Sequence, residues 1–436
     1  MSGGEGLPTG GGRRRRSPAP APPLDNDDLL SDILLRLPPT PSSLPRASLV
    51  CKRWRRLVSD RAFLRRFRAR HRRNAPLLGF FTNRESSVSF TSTLEPPDRL
   101  PRERFSLEIE GKWRILGCRH GLVLILNVAR QLLVWEPVTG DLRSLAFPPE
   151  FGNGGSAVPL HGAVLRAAGD VDAGEDHSIP FLVALVGSDP ACTRAFACVY
   201  SSETGEWGNL ISTECSSMVA VLSPSTLVGS SLYWWLNSMP ILEFDLNRQC
   251  LVVIDVPSNI QSHSHFSHWV VPADRGGSRT RAGGAAARVQ TRFSHLAPTN
   301  AFSPGRRPIL APPLPAEGGG LGFLCLSGYS AQLWTRKTDS DGSTGWVLGR
   351  TIELDKLLPL NQEDEASILI FGFTEEGNVS FLVTNSGVFM VQLESGQFKK
   401  PFKLSIVDVY HPFTSVYTTG TGIGGGHDGA ELLHNT

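Results

Sequence analysis

Cysteine is sparse in this 436-residue sequence, and its seven cysteines (Cys51, Cys118, Cys192, Cys198, Cys215, Cys250 and Cys325) are scattered, odd in number and free of any C-x-x-C pair. That pattern excludes a disulfide framework and a zinc ribbon, and it fits a reducing compartment. No apolar run approaches the roughly 18 residues that a spanning helix requires. The opening MSGGEGLPTGGGRRRRSPAPAPPL has no apolar h-region either, so neither a membrane anchor nor a signal peptide is expected. Net charge is small at a formal +2, yet residues 1–75 hold 17 Lys and Arg against 6 Asp and Glu, which leaves the remainder net acidic. With 40% hydrophobic residues the chain can bury a sizeable core. A soluble protein of the cytoplasm, the nucleus or both is expected.

What is present divides the chain into unlike parts. Residues 1–23 are Gly, Pro, Ala and Arg, too poor in apolar surface to order, and are expected to form a disordered tail. From Asp25 the texture changes. In DNDDLLSDILLRLPP, Leu29, Leu30, Ile33, Leu34 and Leu37 fall within an arc of about 140° at helical spacing, which predicts a helix over 28–37 with Asp27 or Asp28 as N-cap and Pro38 as its stop. Leu35 lies outside that stripe, so the helix is apolar on more than one side. A second short helix is predicted around Ser43 and Pro45, a third carries Cys51, Trp54, Leu57 and Val58 on one face, and a turn or two with Phe63, Leu64 and Phe67 follows.

After Ala75 short β-like runs alternate with Gly, Pro, Asn and Asp. Five units can be stacked, beginning at Gly117, Phe181, Leu227, Gly320 and Ile370, and LLGFFTNRESSVSFTSTL from Leu77 supplies a sixth. Their aromatic or branched markers Trp135, Tyr200, Phe244, Trp334 and Val391 are 65, 44, 90 and 57 residues apart. Arg275 to Pro315, rich in Arg, Gly, Ala and Pro, accounts for the 90-residue gap. Leaving out about 43 residues restores a spacing near the ~45 of a propeller blade. The expected architecture is α + β and multidomain: a helical unit over 24–70, then an all-β propeller-like domain of about six blades over 77–417. A disordered insert is expected at 275–315 and a disordered tail at 418–436.

The helical segment resembles the F-box. The resemblance rests on Leu29-Leu30, Ile33-Leu34, Leu37-Pro38 and the run Leu49-Val50-Cys51-Lys52-Arg53-Trp54, in all about 40 residues from Asp25 to Phe67; the family's usual Leu-Pro opening is replaced by Asp25-Asn26. Within that class the whole chain resembles plant proteins in which the box precedes a β-propeller-like associated domain. The resemblance implies a non-catalytic substrate receptor of an SCF-type cullin ubiquitin ligase. Leu29, Leu30, Ile33, Leu34, Leu37, Pro38, Leu49, Val50 and Trp54 would meet a Skp-type adaptor, and through it a cullin scaffold. The residues by themselves point the same way, because a unit of about 40 residues rarely suffices as an isolated core.

The alternative reading, nucleic-acid or chromatin binding, rests on the eleven Lys and Arg between Lys52 and Arg73. Lys52, Arg53, Arg55 and Arg56 lie opposite the apolar face of their helix, as on a solvated surface, and no stacking aromatics are interleaved. Arg13 to Arg16 followed by Ser17-Pro18 has the form of an import patch.

No catalytic residues, cofactor or metal site are expected. Gly328-Tyr329-Ser330-Ala331-Gln332 lacks the final Gly of a nucleophile elbow, and Gly420, Gly422 and Gly425 lie in low-complexity sequence. His263, His265 and His268 have no Cys or carboxylate cluster beside them. Cys51 reads as a packed thiol, and Glu363-Asp364-Glu365 and Glu375-Glu376 as solvated turns. Target-binding loops are expected around His120, 188–190, 237–240 and 384–386. The adjacent Trp234 and Trp235 must face opposite sides of a strand, which places one in a blade core and offers the other as a surface anchor, with burial of both as the alternative.

Overall fold

The computed structural model describes residues 26–418, apart from 85–86, 110, 128, 149–150, 152–157, 168–179, 221–222, 262–308, 316–319, 361–367, 376–378, 385–386, 394 and 403–409. The tail expected at 1–23, all of the expected 418–436 tail beyond its first residue, and residues 275–308 of the expected insert lie outside the described residues.

Four helices come first: α1 (Asp27–Leu34), α2 (Ser43–Ser48), α3 (Lys52–Ser59) and α4 (Arg61–His71). The N-cap of α1 is Asn26, not Asp27 or Asp28. Its Oδ1 accepts the backbone N–H of Asp28 at 2.8 Å and of Leu29 at 3.3 Å, satisfying donors that a helix start leaves open. Asp27 is thereby free to receive Arg53 Nε at 2.6 Å, which holds the start of α3 against the start of α1. Asp60 ends α3 and caps α4, accepting the N–H of Phe63 at 2.9 Å. Helix α4 runs for 11 residues rather than the expected one or two turns. Leu30 and Leu34 of α1, with Leu35 just after it, pack with Leu44, Ala47, Val58, Phe63 and Phe67 into one small core. Val416, from the far end of the chain, completes it.

Six antiparallel sheets follow, five of four strands and one of five, as the expected six-bladed propeller. Blade 2 runs from Trp113–Arg119 to Asp141–Leu145, and blade 3 from Val158–Arg166 to Ile211–Glu214. Blade 4 runs from Thr226–Val228 to Cys250–Ile254, blade 5 from Ile309–Pro315 to Thr344–Glu353, and blade 6 from Leu369–Phe373 to Phe398–Phe402. Blade 1 is built from both ends of the domain: Leu77–Arg84, Ser87–Ser92 and Leu107–Glu108 are joined by Tyr410–Thr414, which pairs with the first of them, Phe81 opposite His411. That strand touches the first strands of blades 2 and 6 and closes the ring, leaving only the short, protected edges of each blade.

The core follows from strand alternation. Leu122, Leu124 and Leu126 of blade 2 face Val183 and Leu185 of blade 3, while Val123 and Ile125 of the same strand face Phe81 and Phe90 of blade 1. Each adjacent pair of blades shares one such apolar cluster. The five sequence markers all occupy third strands, and the turn after each third strand places a residue at positive φ: Gly140, Gly205, Gln249, Gly342 and Gly396. Glycine dominates there because that backbone conformation costs it nothing.

One expected boundary is corrected. Residues 309–315, assigned to the insert, form the first strand of blade 5, with Leu310 opposite Cys325 and Leu314 opposite Gly322. Proline is tolerated because the innermost strand has an unpaired edge toward the axis, and the register shift between Leu310 and Pro313 accommodates the run.

Candidate functional site

The apolar stripe of α1 is divided by the fold. Leu30 and Leu34 are enclosed in the helical core, Leu37 and Trp54 are half-buried against it, and Pro38 is exposed. Leu29 and Ile33, one turn apart, remain 49% and 44% exposed; Leu49 and Val50, in the connection from α2 to α3, reach 75% and 60%. Because Arg53 is tied to Asp27, residues 49–50 lie at the same end of the unit as Leu29. These four are the exposed large apolar side chains among the described residues of the unit. Cys51 is not a packed thiol: it is exposed, and its Sγ, 3.5 Å from the Trp54 nitrogen, caps α3.

Part of the basic 52–73 segment is engaged within the molecule. Arg53 and Arg56 reach Asp27, and Arg66 reaches Asp32 at 3.1 Å. Burial lowers the pKa of Arg68, Glu136 and Arg166 acting on it from the propeller; Arg72 is shifted the same way and interacts with Arg166 and Glu375. Ser42 donates its N–H to Asp98 Oδ1 at 2.8 Å. Asp98, Glu136, Arg166, Glu375 and Val416 all lie where innermost strands end or third strands end, so the helical unit docks on that one propeller face. The His120 turn belongs to this face. The connections at 188–194, 235–241 and 384–387 lie on the opposite, free face.

A polar centre lies on the axis. Arg119, ending the first strand of blade 2, and Glu375, just after that of blade 6, line a cavity of about 50 Å³ together with residues of blades 1, 3 and 4. Glu375, expected in a solvated turn, is half-buried, with 22% of its side chain exposed. Its carboxylate accepts the His120 N–H at 2.9 and 3.1 Å and the Thr414 hydroxyl at 2.7 Å. Burial pushes its pKa up against the pull of Arg119. His120 Nδ1 accepts the Arg166 N–H at 3.1 Å, and Arg166 pairs with Glu136 at 2.5 Å. Burial and three neighbouring arginines lower the His120 pKa to about 3, so its ring is neutral beside Glu375. Nothing local in the sequence announces this cluster, because Glu375 is 255 residues from His120. Among the described residues no three His, Cys, Asp or Glu side chains are placed to hold a metal ion. Ser330 begins a strand of blade 5 and donates to Glu353 at 2.9 Å; His263, His265, His268 and 363–365 lie outside the described residues.

Trp234 and Trp235 are corrected as surface anchors: they are 0% and 1% exposed. Alternation sends Trp234 into the cluster between blades 3 and 4 and Trp235 into that between blades 4 and 5, where it meets Phe323 at 5.7 Å. Both faces of a propeller strand are interior, so neither ring reaches solvent.

A family model described as F-box-like matches residues 27–70, the four helices with their exposed apolar end. The N-terminal unit is an F-box-like domain. An F-box/kelch-repeat protein of Arabidopsis thaliana is 33% identical over 128 residues, 26% of this chain. The matched part spans 30% of that relative's length. Among solved structures, Saccharomyces cerevisiae Sqt1 aligns with a TM-score of 0.36 at 10% identity over 76% of this chain and 74% of its own, and YCF48 bound to D1 peptide with 0.35 at 9% over 75% and 82%. Likenesses this loose carry no argument beyond the strand arrangement already described. The F-box-like domain thus stands in front of a six-bladed propeller, on one face of it. No helix among the described residues is long and apolar enough to cross a membrane.

Proposed function

We propose that the chain is the substrate-recognition subunit of an SCF-type cullin ubiquitin ligase. The F-box-like domain docks a Skp-type adaptor through Leu29, Ile33, Leu49 and Val50, and the adaptor links it to the cullin scaffold. The observation that carries this reading is the exposed apolar end of a domain whose other large apolar side chains are buried or half-buried. Leu30, Leu34 and Trp54 support the docking surface from beneath. The propeller captures the target protein on its free face, where the connections at 188–194 and 235–241 differ in sequence while the strands they join are committed to packing. Ubiquitin transfer belongs to other subunits, and the chain contributes binding alone, in the cytoplasm or nucleus. Affinity purification of the full chain and its Ile33→Asp variant tests the division of labour. The variant should lose adaptor and cullin while keeping proteins held by the propeller. Loss of neither, with both chains folded, would overturn the reading.

A further inference from the structure

The axial cavity holds unpartnered hydrogen-bond donors that adaptor docking does not use. Arg119 is half-buried; its Nη2 donates to the Ser225 carbonyl at 2.9 Å, but its buried Nε and Nη1 have no hydrogen-bond partner among the described residues. Glu375 accepts from His120 and Thr414 and makes no hydrogen bond to these two nitrogens. Unsatisfied buried donors on a charged group cost on the order of 1–3 kcal/mol or more, so such a group requires an acceptor. The wider surroundings are cationic. Arg114 acts on His161 and His411, Arg72 acts on Glu375, Arg166 is matched by Glu136, and Glu375 is the one carboxylate among the described cavity-lining residues. His161 and His411 are buried and hydrogen-poor at neutral pH, held near 3 and 4 by burial and by Arg114. About 50 Å³ exceeds what one water needs, and Gly117 and Gly372 keep the wall free of side chains on two sides.

We propose that this cavity is a binding site for a single carboxylate-sized monoanion, held by Arg119. The anion comes either from a free short-chain acid or from an acidic side chain that enters the channel. Its size excludes larger ligands, and Glu375 disfavours a dianion. Arg119 is the positioning donor, and Arg114 adds long-range attraction.

Formate is the probe, added to the full chain at constant ionic strength against a bulky sulfonate that the cavity cannot admit. Formate should raise the melting temperature saturably, since a ligand that binds only the folded state stabilises it by mass action. Saturation-transfer NMR on formate should show contact with the protein. Arg119→Met should abolish both signals. Glu375→Gln, which keeps the shape and removes the repelling charge, should tighten formate binding several-fold, and it keeps the test valid if Arg119→Met does not fold. Capped glycine peptides with a central Glu or Gln separate the sources. Displacement of formate by the Glu peptide alone assigns the site to an acidic side chain, and binding of formate with no effect of either peptide assigns it to a free acid. Equal responses to formate and sulfonate, or an unchanged formate response in Arg119→Met and Glu375→Gln alike, would mean that water fills the cavity and would overturn the proposal.

Discussion

Removing the last strand should unfold the propeller, although it is five residues near the end of a long chain. Tyr410–Thr414 supplies the innermost strand of blade 1, and a chain ending at 408 loses its pairing with Leu77–Arg84. It also loses three buried apolar side chains: Tyr410 from the blade 6 to blade 1 cluster, Phe413 from the blade 1 to blade 2 cluster, and Val416 from the helical core. At about 1.5–3 kcal/mol for each large buried side chain, the apolar loss alone is roughly 4.5–9 kcal/mol. A typical domain has about 5–15 kcal/mol in total. Pairing lost along the strand adds to this, and Phe80, which meets Tyr410 at 6.1 Å, would face water. The assay is thermal and urea unfolding of chains ending at 408 and at 418. The longer chain should unfold like the full protein and the shorter one should show no cooperative transition. Equal midpoints would refute closure of the ring by this strand.

Three further outcomes follow from the packing. Trp234→Ala and Trp235→Ala should each cost about 3–5 kcal/mol in urea unfolding, as expected for a large enclosed aromatic; a loss below about 1 kcal/mol in either would contradict its burial. Gly162→Ala should destabilise measurably in the same assay, because a Cβ there would meet the Ala184 carbonyl oxygen at 2.9 Å and Leu185 at 3.0 Å; an unchanged midpoint would show that the contact relaxes freely. His161 and His411 stay neutral in the folded chain down to about 3 and 4, whereas the unfolded chain takes up their protons near 6.5. The unfolded state therefore binds more protons between these values, and stability should fall as pH drops below 6.5, by up to about 1.4 kcal/mol per pH unit for each ring. His161→Gln and His411→Gln should flatten that slope between pH 6.5 and 5, and a flat wild-type profile would refute it.

Much of this was legible in the sequence, and the exceptions share a cause. Period-two runs with a marker on each third strand and a turn after it gave six blades, because those features are local. The division of the α1 stripe was not legible, since an arc of about 140° spans both the side that Phe63 and Phe67 cover and the side they leave open. Only the placement of α3 and α4 decides which is which. Trp234 and Trp235 were read rightly as facing opposite ways, but a lone strand does not tell that blades 3 and 5 cover both sides. The strand at 309–315 was hidden by its prolines, whose cost depends on an axial edge that exists only once the ring has closed. Arg119 and Glu375 meet solely through that closure.

The most direct measurement of the central claim is a calorimetric titration of a purified Skp-type adaptor with the full chain and with a Leu29→Asp, Leu49→Asp double variant. Both substituted positions are exposed, so melting temperatures should match. The wild-type chain should bind with a clear heat signal and a negative heat-capacity change from apolar burial, and the variant should show no binding. Equal affinity of the two folded chains, or no binding by either, would contradict the account.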